Sequence, residues 1–342
     1  MTEEAVTKRN GSFGSPTIYD IAKLAGVNPS TVSRALNKPG RINPITEAKI
    51  KAAAKELNYR VNPMARSLPT GRTKMLAVIV ADITNPMFFD AVRGAEVAAA
   101  NNGYTTLIAE SQESSINEAT AVERIIPSVD GVVLATTRLS DEEILSMAKS
   151  KPVVLMSRRV EGVMDVVPEV GPGVNEAIKH LAELGHTQLA FVSGPQKAWM
   201  SRHRWELILD AALDSGMRIS EVASEAPTFE GGREAFKLVR ATGATAVIAY
   251  NDLIAIGLIK EAQAKGLSVP QDLSVIGFDD IFGAELTTPS LTTIKSPLQS
   301  AGEIAVRNLM RLLDGDESEI EPVSLETSLV LRESTTAPSE RN

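Results

Sequence analysis

The run TIYDIAKLAGVNPSTVSRALN, from Thr17 to Asn37, decides the fold of the N-terminal part of this chain. Apolar residues recur at helical spacing in two short blocks, which predicts two amphipathic helices. Gly26 separates the blocks, and glycine ends a helix readily because it adopts positive φ at little cost. Asn28 can cap the second helix, and Pro29 is tolerated in its first turn. The pattern predicts a helix-turn-helix.

The outer face of the predicted second helix is polar. It carries three hydroxyl side chains and one guanidinium: Ser30, Thr31, Ser33 and Arg34. Such groups suit a DNA major groove, where an arginine can donate two parallel hydrogen bonds to O6 and N7 of a guanine. Double-stranded DNA is therefore the first predicted partner.

The charge distribution agrees with this prediction, although the net charge of −8 alone argues against a nucleic-acid partner. The segment from Thr17 to Lys74 holds eleven Lys or Arg residues against three acids. The rest of the chain carries about −16, so a basic segment is attached to an acidic body. This asymmetry is typical of a protein that contacts phosphates at one end only.

Several functional classes are excluded or disfavoured by composition. The chain has no cysteine, so disulfides, cysteine-ligated zinc and thiol nucleophiles are excluded. Its three histidines, His180, His186 and His203, lack metal-ligand spacing, and no complete phosphate-binding loop is present. No metal, cofactor or enzymatic activity is expected. Since no signal peptide or membrane-spanning run is found, we expect a cytoplasmic protein without a membrane partner.

After Lys74, short apolar runs alternate with amphipathic stretches, which predicts parallel sheets covered by helices on both faces. The strand candidates are Leu76–Ile83, Thr105–Ala109, Gly131–Ala135, Val153–Met156, Leu189–Ser193, Ala246–Tyr250 and Ser274–Phe278. The helix candidates between them include Phe89–Asn101, Val174–Leu184, Arg204–Ser215, Arg233–Ala241 and Leu253–Ala264. Sheets of this kind bind ligands at the carboxyl ends of their strands.

Polar residues follow four of these predicted strands: Asp82 and Asn85, Ser157 and Arg158, Asn251 and Asp252, Asp279 and Asp280. One interpretation is a polar ligand cleft at the carboxyl edge of the sheets. The alternative is ordinary capping of the helices that follow, since Asp and Asn are preferred caps. The sequence leaves both open.

These segments together resemble transcription regulators of the lactose-repressor (LacI/GalR) family from Thr17 to about Thr336. The resemblance is carried by the segments Thr17–Asn37, Arg41–Asn43, Leu57–Tyr59, Ile83–Pro86, His180–His186, Tyr250–Asp252, Val275–Asp280 and Leu291–Ile294. It implies an α/β protein with an N-terminal three-helix helix-turn-helix head and a hinge helix. A two-lobed body of doubly wound parallel sheets follows, similar to periplasmic sugar-binding proteins.

The residue pattern also divides the chain, with a third head helix predicted from about Ile45 to Leu57. The predicted parts are a disordered tail (1–15), a DNA-binding domain (16–61), a hinge or linker (62–74), an effector-binding and dimerisation domain (75–336) and a tail (337–342). Within the large domain, the N-lobe spans about 75–170 and 296–325, and the C-lobe about 171–295.

Roles at the DNA follow from the same resemblance. The implied base-reading residues are Pro29, Ser30 and Arg34. The implied contacts to the DNA backbone are Tyr19, Thr31, Ser33, Asn37, Arg41, Asn43 and Thr46. Asn62, Ala65 and Leu68 are implied hinge residues at the minor groove, with Leu68 as the apolar wedge. Pro69 follows, so the hinge helix should end at Ser67 or Leu68.

The implied effector-binding residues are Asn85, Phe88, Arg158, Arg204, Phe229, Asn251 and Asp279. Two phenylalanine faces could enclose a sugar ring, while the charged and amide groups bind vicinal hydroxyls. The chain departs from the sugar binders at Met87, Ser157 and Glu169–Val170. We expect a sugar effector, with ribose or a nucleoside as the best candidate.

The expected function is an effector-controlled repressor that binds a near-palindromic operator as a homodimer. The alternative is a transport-type solute-binding protein with an appended nucleic-acid-binding head. It explains the body equally well, but such a protein should carry an export signal and has no use for residues 17–75.

Overall fold

The computed structural model describes residues 16–37, 40–59, 71–224, 226–316 and 324–339. The chain divides into two compact units between Thr73 and Lys74. The predicted disordered tail and the predicted hinge residues Asn62, Ala65 and Leu68 lie outside the described residues.

The first unit contains three helices: α1 (Ile18–Ala25), α2 (Pro29–Asn37) and α3 (Pro44–Glu56). Before α1, the backbone N–H and the hydroxyl of Thr17 donate to the Asp20 carboxylate at 2.8 and 2.7 Å, which fixes the start of the helix. Gly26 ends α1 with φ of 66°. The predicted helix-turn-helix is confirmed.

One residue from each helix forms the centre of this small core. Ile21, Val32 and Ile50 are each fully buried, and small alanines fill the space between them. Because α2 uses Val32 and Ala35 for this core, its opposite face is left to solvent. The core thus decides which side chains of α2 are presented outward.

The second unit has two sheets, and thus two lobes. The first contains β1 (Met75–Val80), β2 (Thr105–Glu110), β3 (Gly131–Ala135), β4 (Val153–Met156) and β5 (Met164–Val166), all parallel in the order β2-β1-β3-β4-β5. The second contains β6 (Gln188–Ser193), β7 (Arg218–Ala223), β8 (Ala246–Ala249), β9 (Ser274–Asp279), β10 (Thr292–Lys295) and β11 (Ser328–Val330). Its order is β11-β10-β9-β8-β6-β7, with β11 antiparallel to β10 and the other pairs parallel.

Helices cover both faces of each sheet. The first lobe carries α4 (Met87–Asn101), α5 (Ser115–Ile125), α6 (Asp141–Ala148) and the late helix α12 (Leu298–Asp314). The second carries α7 (Val170–Glu183), α8 (Trp199–Asp214), α9 (Phe229–Thr242), α10 (Asp252–Ala264) and the short α11 (Gly283–Leu286). Alternate residues of β1 enter separate cores, Val78 towards α4 and Ile79 towards α5 and α6. The predicted doubly wound α/β class is confirmed.

The strand predicted from Leu76 to Ile83 is too long. The structure ends β1 at Val80, because the Asp82 carboxylate accepts from the Thr84 backbone N–H at 2.8 Å and closes a turn that leaves Ile83 exposed. The edge strand β7 was not predicted, since its charged, largely exposed residues give no apolar run.

Helices α4 and α12 pack backbone to backbone through two glycines. A Cβ on Gly94 would lie 1.9 Å from the Gln299 carbonyl oxygen, and one on Gly302 would lie 2.0 Å from that of Ala91. Only glycine permits this approach. The contact attaches the late helix α12 to the first lobe, so the chain must cross between the lobes more than once.

Three described segments make these crossings: 167–169, 296–297 and 324–327. The first and third run side by side. The Glu169 N–H donates to the Leu325 carbonyl at 3.0 Å, and the Thr327 N–H donates to the Glu169 carbonyl at 3.1 Å. Two lobes joined by a few short crossing segments form the arrangement in which hinge motion opens and closes a cleft.

The C-terminal segment is held against the second sheet by a buried histidine. His186 Nε2 lies 2.9 Å from the Thr336 carbonyl oxygen, which can only accept, so Nε2 carries the proton. Nδ1, at 2.8 Å from the Thr245 hydroxyl, then accepts. Burial lowers the pKa of His186 below its ordinary value, which favours this neutral form.

We expect the protein to lose stability as the pH falls from 7 towards 5.5, in part through His186. The unfolded chain binds a proton that the folded one resists, so this contribution is present above the ordinary histidine pKa and is lost as the pH falls through the lowered pKa. Thermal unfolding of the parent and His186→Gln at several pH values measures it. The gap in melting temperature should narrow at low pH, and a constant gap would contradict the assignment.

Candidate functional site

The face of α2 that points away from the head core carries the predicted base-reading residues. Ser30 and Arg34 are exposed, and Pro29 is half-buried at the start of the helix. Arg34 lies between the buried residues Val32 and Ala35 in sequence but on the opposite side of the helix. Its guanidinium is thus available to a ligand outside the head.

The predicted DNA-backbone contacts surround this face in sequence. Tyr19, Arg41 and Asn43 are exposed, and Thr31, Ser33 and Thr46 are half-buried; Asn37 is the last residue of α2. The Asn43 side chain already accepts from the Ile45 backbone N–H at 2.9 Å, so it caps α3. The structure does not test any of these contacts, and they remain predictions.

A small cavity of about 20 Å³ lies between the two lobes of the second unit. Its lining residues are Met87, Thr136, Ser157 and Leu298 from the first lobe, Val170, Met200, Arg204 and Tyr250 from the second, and Pro168 and Ser296 of the connecting segments. Its volume is that of a site for one water-sized molecule, whereas small-molecule sites occupy roughly 300–1,000 Å³.

Arg204 and Asp279 form a buried ion pair beside this cavity. Arg204 Nη2 lies 2.8 Å from Asp279 Oδ1, with side-chain exposures of 7% and 1%. The other terminal nitrogen donates to the Tyr250 carbonyl, and the guanidinium carbon lies 3.6 Å from the centroid of the Phe278 ring. The sequence predicted both residues as effector contacts, and the structure places them together.

The neighbouring Asp252 fixes the loop that carries Asp279. Its carboxylate accepts from the Thr293 hydroxyl at 2.5 Å and from the Ile281 backbone N–H at 2.8 Å. Burial raises the pKa of Asp252 well above its ordinary value, while the hydrogen bond from Thr293 opposes this rise. Asp252 therefore joins α10, β10 and the end of β9 rather than facing the cavity.

Two buried polar atoms remain unsatisfied at the cavity. Within the described residues, Thr136 Oγ1 and Arg204 Nε have no hydrogen-bond partner. Burying a polar group without a partner is unfavourable, so both atoms are suited to a polar ligand. Thr136 was not predicted from the sequence, although it follows the apolar strand β3 just as the polar pairs follow other strands.

Backbone strain marks the same positions. Thr136, Ser157 and Asp279 have φ of 59°, 60° and 103°, in the region that favours glycine, and each stands at the carboxyl end of a strand. Such strain persists only where surrounding structure imposes it, and it is common at functional sites. The strain thus supports a ligand cleft at these three strand ends.

The Glu113 carboxylate, in the loop after β2, holds the segment that follows Thr136. Arg138 donates to it from Nε at 2.8 Å and from Nη2 at 2.6 Å, and from Nη1 to the Thr136 carbonyl at 2.5 Å. Buried Glu118 accepts from the Arg138 backbone N–H at 2.7 Å. This cluster was not predicted from the sequence either, because its partners lie far apart in the chain.

The side-chain oxygens of two predicted effector residues accept from backbone N–H groups where helices begin. Asn85 Oδ1 accepts from the Met87 N–H at 3.1 Å at the start of α4, and Asn251 Oδ1 accepts from the Ile254 N–H at 2.9 Å at the start of α10. The capping interpretation therefore holds for Asn251, which is the N-cap of α10, whereas Asn85 closes a turn one residue before the N-cap Pro86 of α4.

Of the seven predicted effector residues, Arg204 alone is among the described residues that line the cavity. The three not yet placed are Arg158, Phe88 and Phe229. Arg158 donates to the Leu139 carbonyl at 2.5 Å and to the Asp141 carboxylate at 2.6 Å, so it holds the loop after β3. Phe88 is only 3% exposed and packs in the core of the first lobe, and Phe229 is the first residue of α9. Their effector contacts stay predictions.

The described part of the chain offers neither a metal-binding cluster nor a membrane-spanning helix. Among those residues, no group of three or more His, Asp or Glu side chains could hold a metal ion. None of the described helices is long and apolar enough to cross a membrane.

Both the N-terminal head and the two-lobed body are similar to known protein families. Residues 17–62 match the bacterial regulatory proteins of the lacI family, and residues 178–335 match the periplasmic binding protein-like domain. The HTH-type transcriptional repressor CytR of Escherichia coli K12 is 31% identical over 330 residues, which cover 94% of this chain and 96% of CytR. The ribose operon repressor of the same organism is 33% identical over 299 residues, 85% of this chain and 91% of that protein.

Solved structures extend the similarity to the fold. The Lac repressor dimer bound to operator and the anti-inducer ONPF matches with a TM-score of 0.83 and 25% identity, covering 95% of this chain and 100% of that one. A LacI family regulator from Enterococcus faecium with bound ribose matches with a TM-score of 0.69 and 27% identity, over 77% of this chain and 99% of that one.

A helix-turn-helix head joined to a two-lobed body with a buried polar cleft defines a ligand-responsive DNA-binding protein. Within that class, this chain belongs to the lacI family of bacterial regulatory proteins. It is a transcriptional regulator, which disfavours the transport-type alternative, since the family similarity to CytR includes the head and the body together.

Proposed function

We propose that this chain is an effector-controlled, sequence-specific repressor that acts in the cytoplasm, binds a near-palindromic operator as a homodimer and catalyses no reaction. The observation that carries the proposal is one chain that combines an exposed α2 face, with Ser30 and Arg34, and an interlobe cavity with buried polar atoms on Thr136 and Arg204. The first suits base reading, and the second suits a small polar ligand. The Lac repressor dimer on its operator supports the homodimer.

The effector in this proposal is a sugar or a nucleoside. Asp279 offers acceptors, Arg204 offers donors and Thr136 offers a hydroxyl, which together suit the vicinal hydroxyls of a sugar ring. The E. faecium family member with bound ribose supports this chemistry. Asn85, Phe88, Arg158, Phe229 and Asn251 remain predicted as further contacts.

Effector binding requires the lobes to move in this proposal. A cavity of about 20 Å³ cannot hold a sugar ring, so the lobes must separate at the paired crossings near Glu169 and Leu325 to admit one. A ligand that binds one arrangement better shifts the balance towards it. We propose that the linker, with its predicted hinge residues Asn62, Ala65 and Leu68, transmits this shift to the DNA-binding heads.

A ligand screen tests the proposal. An operator is first selected from a random duplex DNA pool, and pentoses, hexoses, nucleosides and purines are then tested by thermal shift and by release of labelled operator. A ribose compound at about 100 times its Kd should raise the melting temperature by about 5 °C or more. It should also change operator affinity.

The Asp279→Asn variant should lose the ligand shift, because an amide cannot offer the same two acceptors, while it keeps operator binding. The matched control Asp280→Asn removes a neighbouring carboxylate that pairs with Arg332 and should keep the shift. No response of the parent to any compound would refute the proposed sugar or nucleoside effector. Failure to select any DNA would refute the repressor function.

A further inference from the structure

Tyr250 lines the cavity between the lobes, yet it is not one of the predicted effector contacts. It follows β8 directly and precedes Asn251, the N-cap of α10, so it stands at the carboxyl end of a strand in the middle of the second sheet. The side chain is 8% exposed, and it is the only aromatic one in the described lining of the cavity. Tyr250 therefore brings a phenol hydroxyl to a small, enclosed site.

Two neighbours hold the Tyr250 ring in place. A Cβ on Gly194 would lie 2.6 Å from the ring carbon Cδ1, so the ring packs directly on the backbone of the loop after β6. The guanidinium carbon of Arg204 lies 5.0 Å from the ring centroid, and a terminal nitrogen of Arg204 donates to the Tyr250 carbonyl. Because ring and backbone are both held, the hydroxyl is placed before a ligand arrives, which lowers the entropic cost of binding.

The phenol of Tyr250 stays protonated at neutral pH. Burial raises its pKa above the ordinary value, while the positive charges of Arg204 and Arg138 oppose the rise. The hydroxyl can therefore donate a hydrogen bond as well as accept one. Arg204 belongs to the second lobe and Arg138 to the first, so Tyr250 lies near charged groups of both lobes.

The hydroxyl of Tyr250 is available to a ligand, since no described residue forms a hydrogen bond with it. Thr136 Oγ1 and Arg204 Nε, which also belong to lining residues, have no partner within the described chain either. Three polar groups around one small cavity thus lack protein partners, and each of them can donate. Such a set is suited to the hydroxyl and ether oxygens of a sugar ring.

We propose that the Tyr250 hydroxyl is a specificity contact that forms a hydrogen bond with one hydroxyl of the sugar part of the effector. This inference rests on the proposed function and adds a residue that the predicted effector contacts do not include. Thr136 from the first lobe and Arg204 and Tyr250 from the second then bind the sugar from two sides. A site that hydrogen-bonds a ligand hydroxyl rejects the analogue without it, because the protein group is left buried and unpaired.

Isothermal titration calorimetry on the full-length protein tests the contact, with adenosine, cytidine and D-ribose as probes. Tyr250→Phe removes the hydroxyl and keeps the ring on Gly194, so it should weaken binding by about five- to twentyfold without lowering the melting temperature. Tyr104→Phe is the matched control. The Tyr104 hydroxyl is also buried without a partner in the described chain, but it lies just before β2 and outside the described lining of the cavity. This variant should bind every probe like the parent.

Deoxygenated probes identify the partner of the Tyr250 hydroxyl. The 2′-, 3′- and 5′-deoxy derivatives of adenosine each lack one hydroxyl, and the corresponding deoxy sugars serve for D-ribose. The derivative that lacks the partner should bind the parent and Tyr250→Phe with equal affinity. The other derivatives should keep the full loss in the variant, since two changes are additive only when their groups do not interact.

Two outcomes overturn the contact and leave the proposed function intact. One is equal affinity of the parent and Tyr250→Phe for every probe that binds, and the other is the same loss in the variant for every deoxy derivative. Operator binding is measured on the same preparations. A parent that binds operator but none of the probes refutes the sugar or nucleoside effector and the contact with it, whereas a parent that binds no DNA refutes the proposed repressor function.

Discussion

Replacing Arg34 with alanine should weaken operator binding by about ten- to a hundredfold and relax the base preference at one position of each half-site. A bidentate arginine–guanine contact contributes about 1–3 kcal/mol of discrimination, and Arg34 is the exposed guanidinium of α2. Because Val32 and Ala35 supply the core contacts of this helix, the substitution should leave the fold intact. Binding of parent and variant to a library of single-base operator variants measures both effects.

The matched control is Arg41→Ala, at a predicted backbone contact. It should weaken binding to all operator variants by a similar factor and reduce the salt dependence of binding, since a phosphate contact releases counterions without reading sequence. An Arg34→Ala protein that keeps the parent's full base preference would refute the recognition-helix assignment.

The head was predictable because its structure is decided locally. The apolar spacing from Thr17 to Asn37, the positive φ at Gly26 and the Thr17–Asp20 cap all depend on residues a few positions apart. Helix periodicity and capping residues can be recognised from residues that are this close in sequence. Sequence reasoning therefore placed α1, α2 and the exposed face of Arg34 together.

The cleft was only partly predictable, because its contacts join distant parts of the chain. The strand-end pattern placed Asp279 in the cleft, the family resemblance added Arg204, and the structure pairs the two side chains. The same pattern could not show that Arg158 reaches Asp141 across the loop after β3. A side chain's direction there depends on partners that sequence spacing does not specify.

Local chemistry also competes with ligand binding for the same residue types. Asn85 and Asn251 are suited both to binding sugar hydroxyls and to binding backbone N–H groups at helix starts. In this conformation nearby backbone N–H groups donate hydrogen bonds to both side-chain oxygens. Thr136 shows the converse. No nearby backbone group of the described chain satisfies its hydroxyl, so a residue the sequence did not single out is free for a ligand.

Replacing Arg204 with methionine should destabilise the second unit by about 3–5 kcal/mol. The variant leaves the Asp279 carboxylate buried without its cation, and an uncompensated buried charge is strongly unfavourable. The guanidinium also packs on the Phe278 ring, so that contact changes as well. Urea unfolding followed by circular dichroism measures the loss. Arg202→Met, at an exposed ion pair on the same helix, should change stability by about 1 kcal/mol or less.

The double variant Arg204→Met, Asp279→Leu separates stability from effector binding. Removing both charges replaces a buried ion pair by apolar side chains, an exchange that is often neutral in stability. We therefore expect the double variant to recover most of the stability lost by Arg204→Met, yet to show no ligand-induced thermal shift. Recovery of stability together with a parent-like ligand response would show that the pair is structural and that the effector is held elsewhere. Loss of the response in a stable double variant would instead locate effector recognition at the charges themselves, because the fold is then intact and only the donors and acceptors are gone.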